Sequence, residues 1–430
     1  LNRIQPWENK VYQVFGAREL KHIKGFKCIR CGADFNLDEI EYTCDNCKGY
    51  LQVTYDYPSI KENIRKTDLK ESPDYSMWRY KALLPVEDLS KKPIVEIGWT
   101  PLYKADKLGE TLGIKNLYLK DEGRNPSASL KDRPGAIAVV NALERGEEII
   151  TCASTGNAAA SLSCLTAALG LKTVIFVPET SPEAKIAQLL VFGAIVIAVT
   201  GTYDDAFDLC IQATEKYGWY NRSSGYNPYT REGKKTCAYE ICEQLGWECP
   251  DKVFVSVGDG NLISGMWKGF VDLYSIGFIN RLPQLISCQS KNMDAINRAF
   301  NSDGIIRPVE GKTIADSISV GFPHDGDAAL RAIQKSGGFA ISVSDENILR
   351  AIPEMARETS VFGEPSGAVP FAAMKKAIDE NKIKEEEKTV LLVSGNGLKD
   401  INSAMKSVGQ PVKIKPDLSE LDKIVSENIV

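Results

Sequence analysis

Histidine is nearly absent, since His22 and His324 are the only two in 430 residues. Neither lies in a segment rich in other chemistry-bearing side chains, so an imidazole general base is not expected. His324, beside Gly321-Phe322-Pro323, reads as a loop residue. Positive charge is not in excess either. With 52 Lys+Arg against 57 Asp+Glu the formal net charge is −5 and the pI about 5.5, which gives no general pull toward phosphate backbones or anionic lipid. Nucleic acid is therefore not an expected partner. The longest uncharged stretch, residues 149–171, is broken by Ser154-Thr155-Gly156-Asn157, and that many polar groups would be costly in lipid. It reads as strand, polar turn and buried helix, and no membrane partner is expected. Internal repeats of roughly 20–50 residues are missing as well. The stretch Leu1-Asn2-Arg3-Ile4-Gln5-Pro6-Trp7 lacks the basic-then-apolar character of an export signal, so the expected location is cytoplasmic.

Hydrophobic residues make up 43% and charged residues 25%, the balance of an ordinary globular protein. At roughly 100–200 residues per domain the length predicts two or three domains with cores that need no disulfide staples. Of the 11 cysteines, seven (Cys152, Cys164, Cys210, Cys237, Cys242, Cys249 and Cys288) are scattered through apolar or helical stretches and read as reduced thiols. The other four form Cys28-x-x-Cys31 and, after a twelve-residue gap, Cys44-x-x-Cys47. Two such knuckles on a short hairpin can offer four thiolates tetrahedrally to Zn²⁺, a closed structural clip with no open position for chemistry. The alternative is a metal-free ribbon held by packing alone.

Residues 20–57 thus read as a zinc-ribbon-like segment and 58–98, rich in Pro, Lys and Asp, as a connector with a short helix or two. The main body occupies 99–430, with a smaller mobile unit at about 135–245 inserted in a larger one. Short apolar runs at 173–177, 195–199, 253–257 and 390–393 alternate with helical patterns. This alternation predicts an α/β fold, with parallel sheets covered by helices on both faces.

Open parallel sheets bind ligands beyond the carboxyl ends of their strands. Ser154-Thr155-Gly156-Asn157 follows one apolar run, Gly258-Asp259-Gly260-Asn261-Leu262 another, and Ser394-Gly395-Asn396-Gly397 the last. Glycine turns at helix starts expose backbone N–H groups to an anion. Each alone is weak, because a glycine loop after a strand is often only a tight turn. Asn125-Pro126-Ser127-Ala128-Ser129-Leu130-Lys131-Asp132-Arg133 adds a lysine at the start of a helical run, where a cation is disfavoured and a neutral, nucleophilic amine is favoured. Taken by itself, this segment reads first as a surface ion-pair patch of Lys131, Asp132 and Arg133.

Together and in this order, these segments resemble the fold-type II family of pyridoxal-phosphate enzymes and, within it, the threonine synthases. The resemblance spans roughly residues 26–405. Cys44-x-x-Cys47-x-Gly49-Tyr50-Leu51-Gln52-Val53-Thr54-Tyr55-Asp56 is similar to the family's ribbon and its tail, and Thr100-Pro101-Leu102 to its opening strand. Ser127-x-Ser129-x-Lys131-Asp132-Arg133 is similar to its Schiff-base signature. The resemblance implies two open, doubly wound α/β domains behind the ribbon. It also implies pyridoxal 5′-phosphate joined to Lys131, which would shuttle protons between substrate carbons, and commonly a homodimer. Asn157 would bond the cofactor's phenolic oxygen, Gly258, Asp259, Gly260, Asn261 and Leu262 would cup its phosphate, and Ser394 would face its ring nitrogen. Ser154 and Thr155 would hold the substrate carboxylate.

One segment departs from the pattern. Threonine synthases acting on O-phosphohomoserine usually carry Asn-Ser-x-Asn-x-x-Arg-x-Glu-Gly-Gln-Lys-Thr, where this chain reads Ser224-Gly225-Tyr226-Asn227-Pro228-Tyr229-Thr230-Arg231-Glu232-Gly233-Lys234-Lys235-Thr236. Arg231 stands one residue late, a turn of about 100° on a helix. Asp259 near a phosphate would be repulsive unless paired with Lys234 or Lys235. Arg231 and Lys235 are the expected phosphate-side contacts of the amino-acid substrate. Two activities stay open: threonine synthesis from O-phospho-L-homoserine, and elimination or β-replacement on another amino acid, as in serine/threonine dehydratases or cysteate synthase. A catalytically silent cofactor-binding protein is a third reading, against which Lys131 and Asn157 count. Glu364, in Glu364-Pro365-Ser366-Gly367, could steer a proton or cap the following helix, and the cap is the preferred reading.

Overall fold

The computed structural model describes residues 20–39 and 42–428. The export-signal reading of residues 1–7 therefore lies outside the described residues. Three sheets organise the chain. The ribbon consists of β1 (Ile23–Cys28), β2 (Asp34–Phe35) and β3 (Leu51–Tyr55), antiparallel in the order β2-β1-β3. Next come β4 (Leu102–Lys104) and β5 (Asn116–Asp121), then β6 (Ile149–Ala153), β7 (Lys172–Pro178), β8 (Ile195–Val199) and β9 (Tyr220–Asn221). The last strands are β10 (Lys252–Ser256), β11 (Gln284–Ser290), β12 (Ala340–Val343) and β13 (Lys388–Val393). The larger sheet runs β12-β11-β10-β13-β5-β4 and is parallel except for β4 on β5. The smaller runs β8-β7-β6-β9 and is parallel throughout.

The continuous apolar runs mark the central strands, which need both faces covered. Along β10 and β13 the side chains alternate between two cores. Val253, Val255, Val390 and Leu392 join the core shared with the ribbon, whereas Phe254, Leu391 and Val393 join the one beneath the helices Asp345–Thr359 and Pro365–Asp379. Each such side chain contributes about 1.5–3 kcal/mol by leaving water. Residues 149–171 form strand, turn and buried helix (Asn157–Thr166), as the polar interruption predicts.

The segment 58–98, expected as a connector with a short helix or two, carries such helices and also packs onto the main body. Beyond the helices Tyr57–Asn63 and Lys66–Glu71, a 3-10 segment Met77–Leu83 buries Trp78, Tyr80 and Leu83 in the main core, joined by Leu84 and Val86. The segment's charged composition masks an apolar face. The ribbon is likewise fastened down. Lys268 donates to the Val53 carbonyl (2.9 Å), Arg231 to that of Leu51 (3.1 Å), and the Tyr55 hydroxyl to Glu232 (2.6 Å).

One buried polar network crosses these parts. Arg133, on the first turn of the helix Asp132–Glu144, donates to both oxygens of Glu122 (2.6 and 2.8 Å) and of Glu240 (2.5 and 2.7 Å). Lys120 on β5 donates to Glu240 (2.8 Å), Gln244 (2.9 Å) and the Thr100 carbonyl (2.7 Å). All four charged side chains are 0% exposed, so the surface-patch reading of 131–133 does not hold for Arg133. Burial pushes the Glu240 carboxyl up, but Arg133 and Lys120 outweigh it and bring it from 4.5 to about 2. Removing one partner strands buried charge, so Glu240→Ala is expected to cost about 3–5 kcal/mol in urea unfolding at neutral pH. Because the folded carboxyl titrates lower than the unfolded one, this stabilisation is present above pH 4.5 and lost as pH falls toward about 2. The gap between wild type and variant should close across that window.

Candidate active site

The segment before the helix Asp132–Glu144 is held from both sides. Asp132 accepts from the backbone N–H and the hydroxyl of Ser127 (2.7 and 2.6 Å). The Leu130 N–H donates to the Ser394 carbonyl (2.9 Å), the Asn396 N–H to that of Ala128 (3.0 Å), and Ser161 Oγ to that of Lys131 (2.8 Å). The loop after β13 is thus laced to the residues flanking Lys131. The backbone of Lys131 is fixed while its amine, among the described residues, has no hydrogen bond or ion pair. Burial lowers the affinity of that amine for a proton, the Arg222 charge lowers it further, and Asp259 and Glu364 oppose. The lowering comes mainly from burial and a neighbouring cation.

Asn157, buried at the start of its helix, donates through Nδ2 to Glu364 (2.9 and 3.1 Å) and to Ser317 (3.2 Å). Glu364 also accepts from Ser366 (2.9 Å), and its side chain makes no cap to the following helix. The capping reading is thereby corrected. Burial pushes this carboxyl up, against the hydrogen bonds from Asn157 and Ser366. Ser154 and Thr155 lie half-buried in the turn after β6, with Ser154 Oγ accepting from the Gly156 N–H (3.2 Å).

The glycine loop 258–262 joins β10 to the helix Asn261–Ser275. Gly260 has φ +95°, and a Cβ there would lie 2.7 Å from the Asp325 carbonyl oxygen. No side chain caps that helix, which leaves its first N–H groups to a ligand. Asp259 turns toward the His324 N–H (2.8 Å), and burial with the neighbouring Asp325 pushes its carboxyl up. Lys234 donates to Asn261 Oδ1 (2.5 Å). Burial together with the Lys131 charge drives its amine well below the usual lysine range. The ring of His324 stacks on Phe207 at 5.4 Å and meets the Tyr50 hydroxyl at 3.0 Å.

Two expected substrate contacts are not brought to this place. Arg231 grips both oxygens of Asp325 (2.5 and 2.6 Å), Ser264 (3.1 Å) and the Leu51 carbonyl. Lys235 pairs with Glu232 (2.6 Å) and Asp272 (2.8 Å) over the ring of Tyr55. Both are structural clamps whose charge is already paired inside the fold. In their stead the fold presents Lys234, Glu364 and the fully buried Arg222. Arg222 was missed because β9 before it is only two residues long, too short to announce a strand end.

Residues 95–395 match the family described as pyridoxal-phosphate dependent enzyme. The chain belongs to that family. It is 41% identical to the threonine synthase of Methanocaldococcus jannaschii over 404 residues, which cover 93% of this chain and 99% of that protein. The threonine synthase of Methanosarcina acetivorans is 38% identical, over 93% and 98% of the two chains. Among solved structures, the processed threonine deaminase isoform 2 of Solanum lycopersicum superposes with a TM-score of 0.64 at 23% identity, covering 78% of this chain and 94% of that one. Diaminopropionate ammonia lyase of Escherichia coli gives 0.63 at 20%, covering 78% and 93%. The shared fold is that of the fold-type II enzymes, and the cofactor of the family is pyridoxal phosphate. The uncommitted Lys131 amine, near enough to the uncapped glycine loop to feel the Asp259 charge, fits that group.

The four ribbon cysteines also form a donor set. Their sulfurs lie within 4.8 Å of one another, Cys28 to Cys47 at 3.5 Å and Cys31 to Cys44 at 3.6 Å. Tetrahedral Zn²⁺ with bonds of about 2.3 Å sets sulfurs about 3.8 Å apart. Gly49 leaves the room, because a Cβ there would touch two of the sulfurs at 3.1 Å.

Capture of free pyridoxal phosphate by the apoenzyme requires the neutral Lys131 amine, so its pH midpoint should lie below 10.5. Glu364→Gln removes a charge that raises this value and should move the midpoint further down. Absorbance of the bound cofactor followed across pH checks both, and an upward shift would contradict the electrostatic account.

Proposed function

We propose that this chain is a threonine synthase, converting O-phospho-L-homoserine and water into L-threonine and phosphate. The observation that carries the reading is the 41% identity to a threonine synthase across nearly the whole length of both chains. The unpaired amine of Lys131 beside the glycine loop supports it. When bound, the cofactor supplies an electron sink for the substrate carbons. Lys131 holds and moves the proton at those carbons, with its proton affinity lowered by burial and by the Arg222 charge. Asn157, whose amide donates to Glu364 and Ser317, would hold the cofactor's phenolic oxygen. The N–H groups at 258–262 receive the cofactor phosphate, with Lys234 as the nearby cation. Ser394 would lie toward the ring nitrogen, where a hydroxyl in place of a carboxylate would leave that nitrogen largely unprotonated. Ser154 and Thr155 take the substrate carboxylate.

The same reading includes Zn²⁺ on Cys28, Cys31, Cys44 and Cys47, supported by the sulfur spacing. It also includes a homodimer in the cytoplasm, and the division into 20–57, 58–98 and 99–430 with a smaller unit at about 135–245. Among the described residues no helix is long and apolar enough to cross a membrane.

Adding O-phospho-L-homoserine to the holoenzyme should release phosphate and threonine in equal amounts, and Lys131→Ala should lower that turnover about 1,000-fold or more. Keto-acid formation from serine or threonine without phosphate release would instead establish the dehydratase alternative. Metal analysis should give one zinc per chain, and Cys44→Ser should lose the metal and melt at a lower temperature. Retention of zinc by that variant would refute the four-thiolate site.

A further inference from the structure

Arg222 is 0% exposed, yet among the described residues none of its three guanidinium nitrogens has a hydrogen-bond partner. The buried hydroxyls of the next two residues, Ser223 and Ser224, are equally unpartnered. A cation taken out of water without a counter-ion is strongly unfavourable, and native structures keep such a group where an anion comes to meet it. The location is fixed by the backbone. The Arg222 N–H donates to the Thr151 carbonyl (2.9 Å), which sets it at the carboxyl end of β9 beside β6, next to the turn carrying Ser154 and Thr155. Its charge is felt at the Lys131 and Lys234 amines. Gly225 then brings the chain against Asp259, since a Cβ there would lie 3.1 Å from the unpartnered Asp259 Oδ2. The one carboxylate whose charge reaches Arg222, that of Asp132, is spoken for by Ser127.

Two anions are available to it, and their places differ. The cofactor phosphate has the glycine loop after β10, on the larger sheet, with its own helix start and Lys234. Arg222 belongs to the smaller sheet, on the side of the substrate turn. The position where relatives carry a phosphate-clasping arginine is Thr230, whose hydroxyl is bonded to the Asn227 carbonyl (2.9 Å), and the adjacent Arg231 is consumed by Asp325. We propose that Arg222, with the hydroxyls of Ser223 and Ser224, is the receptor for the substrate's phosphate group, displaced upstream from the position this chain gives to Thr230. This rests on the threonine synthase reading and specifies how the substrate is recognised. It assigns Arg222 as a specificity-determining residue that touches the leaving group.

The test uses holoenzyme, with inorganic phosphate as the probe by calorimetry and O-phospho-L-homoserine in steady-state kinetics. Arg222→Gln should weaken phosphate binding and raise KM by about 100-fold, the scale of one lost bidentate charge-assisted pair. Arg222→Lys should recover part of this. Cofactor content and the absorbance change on adding L-threonine, which carries no phosphate, should stay as in wild type. Loss of cofactor together with phosphate affinity would reassign Arg222 to the cofactor and overturn the proposal. So would an equal loss of the threonine response, or phosphate binding unchanged by the substitution. Should Arg222→Gln fail to fold, the Ser223→Ala/Ser224→Ala double variant decides, with about a tenfold loss of phosphate affinity expected and no loss overturning. A holoenzyme that binds phosphate through Arg222 but does not consume O-phospho-L-homoserine would sink the threonine synthase reading and leave the receptor standing. A holoenzyme with no phosphate affinity would remove the receptor itself.

Discussion

The guanidinium of Arg133 is the point on which the site is hung. It lies two residues beyond Lys131 and is clamped between Glu122, which follows β5, and Glu240 on the helix Thr236–Gln244. Lys120 closes the square. Two cations and two anions in the dry interior cancel one another, and each needs the other three. The first helical turn after Lys131 is thereby locked to the larger sheet. With the loop after β13 bonded to Leu130 and Ala128, the lysine backbone has little freedom left. Rigidity there lets the amine remain unpaired without collapsing onto a neighbour.

Around that fixed point the molecule keeps more donors than acceptors. Lys131, Lys234 and Arg222 converge from different elements, while Asp259 and Glu364 are the opposing acids and both are pushed toward the protonated form by burial. The resulting field is positive and under-satisfied, which suits anionic ligands whose own charge completes the balance.

Much of this was legible before any coordinates. The apolar runs gave the parallel strands because central strands are buried on both faces, and the polar turns after them gave the ligand edge. The spacing of the ribbon cysteines gave their convergence. Legibility failed where a residue's role depends on distant partners. Nothing local distinguishes Arg231, bound to an aspartate 94 positions away, from an arginine free to meet substrate. Glu364 looked like a helix cap because Pro365 and Ser366 start a helix, but its acceptors are taken by Asn157 across 207 positions. Arg222 escaped because a two-residue strand carries no periodicity to read.

The short helix Tyr229–Lys234 has no side open to water, all six residues being buried. Arg231 reaches toward the ribbon and Asp325, Glu232 toward Tyr55 and Lys235, and Lys234 toward the loop at Asn261. Gly233 lets this helix lie against the backbone of Arg133. A stretch so crowded cannot drift one position at a time, because every exchange disturbs a neighbour on another element. Evolution of a new substrate range in this scaffold is then channelled: paired or triple replacements within the helix are strongly epistatic, and the neighbouring coil is where single changes can be sampled.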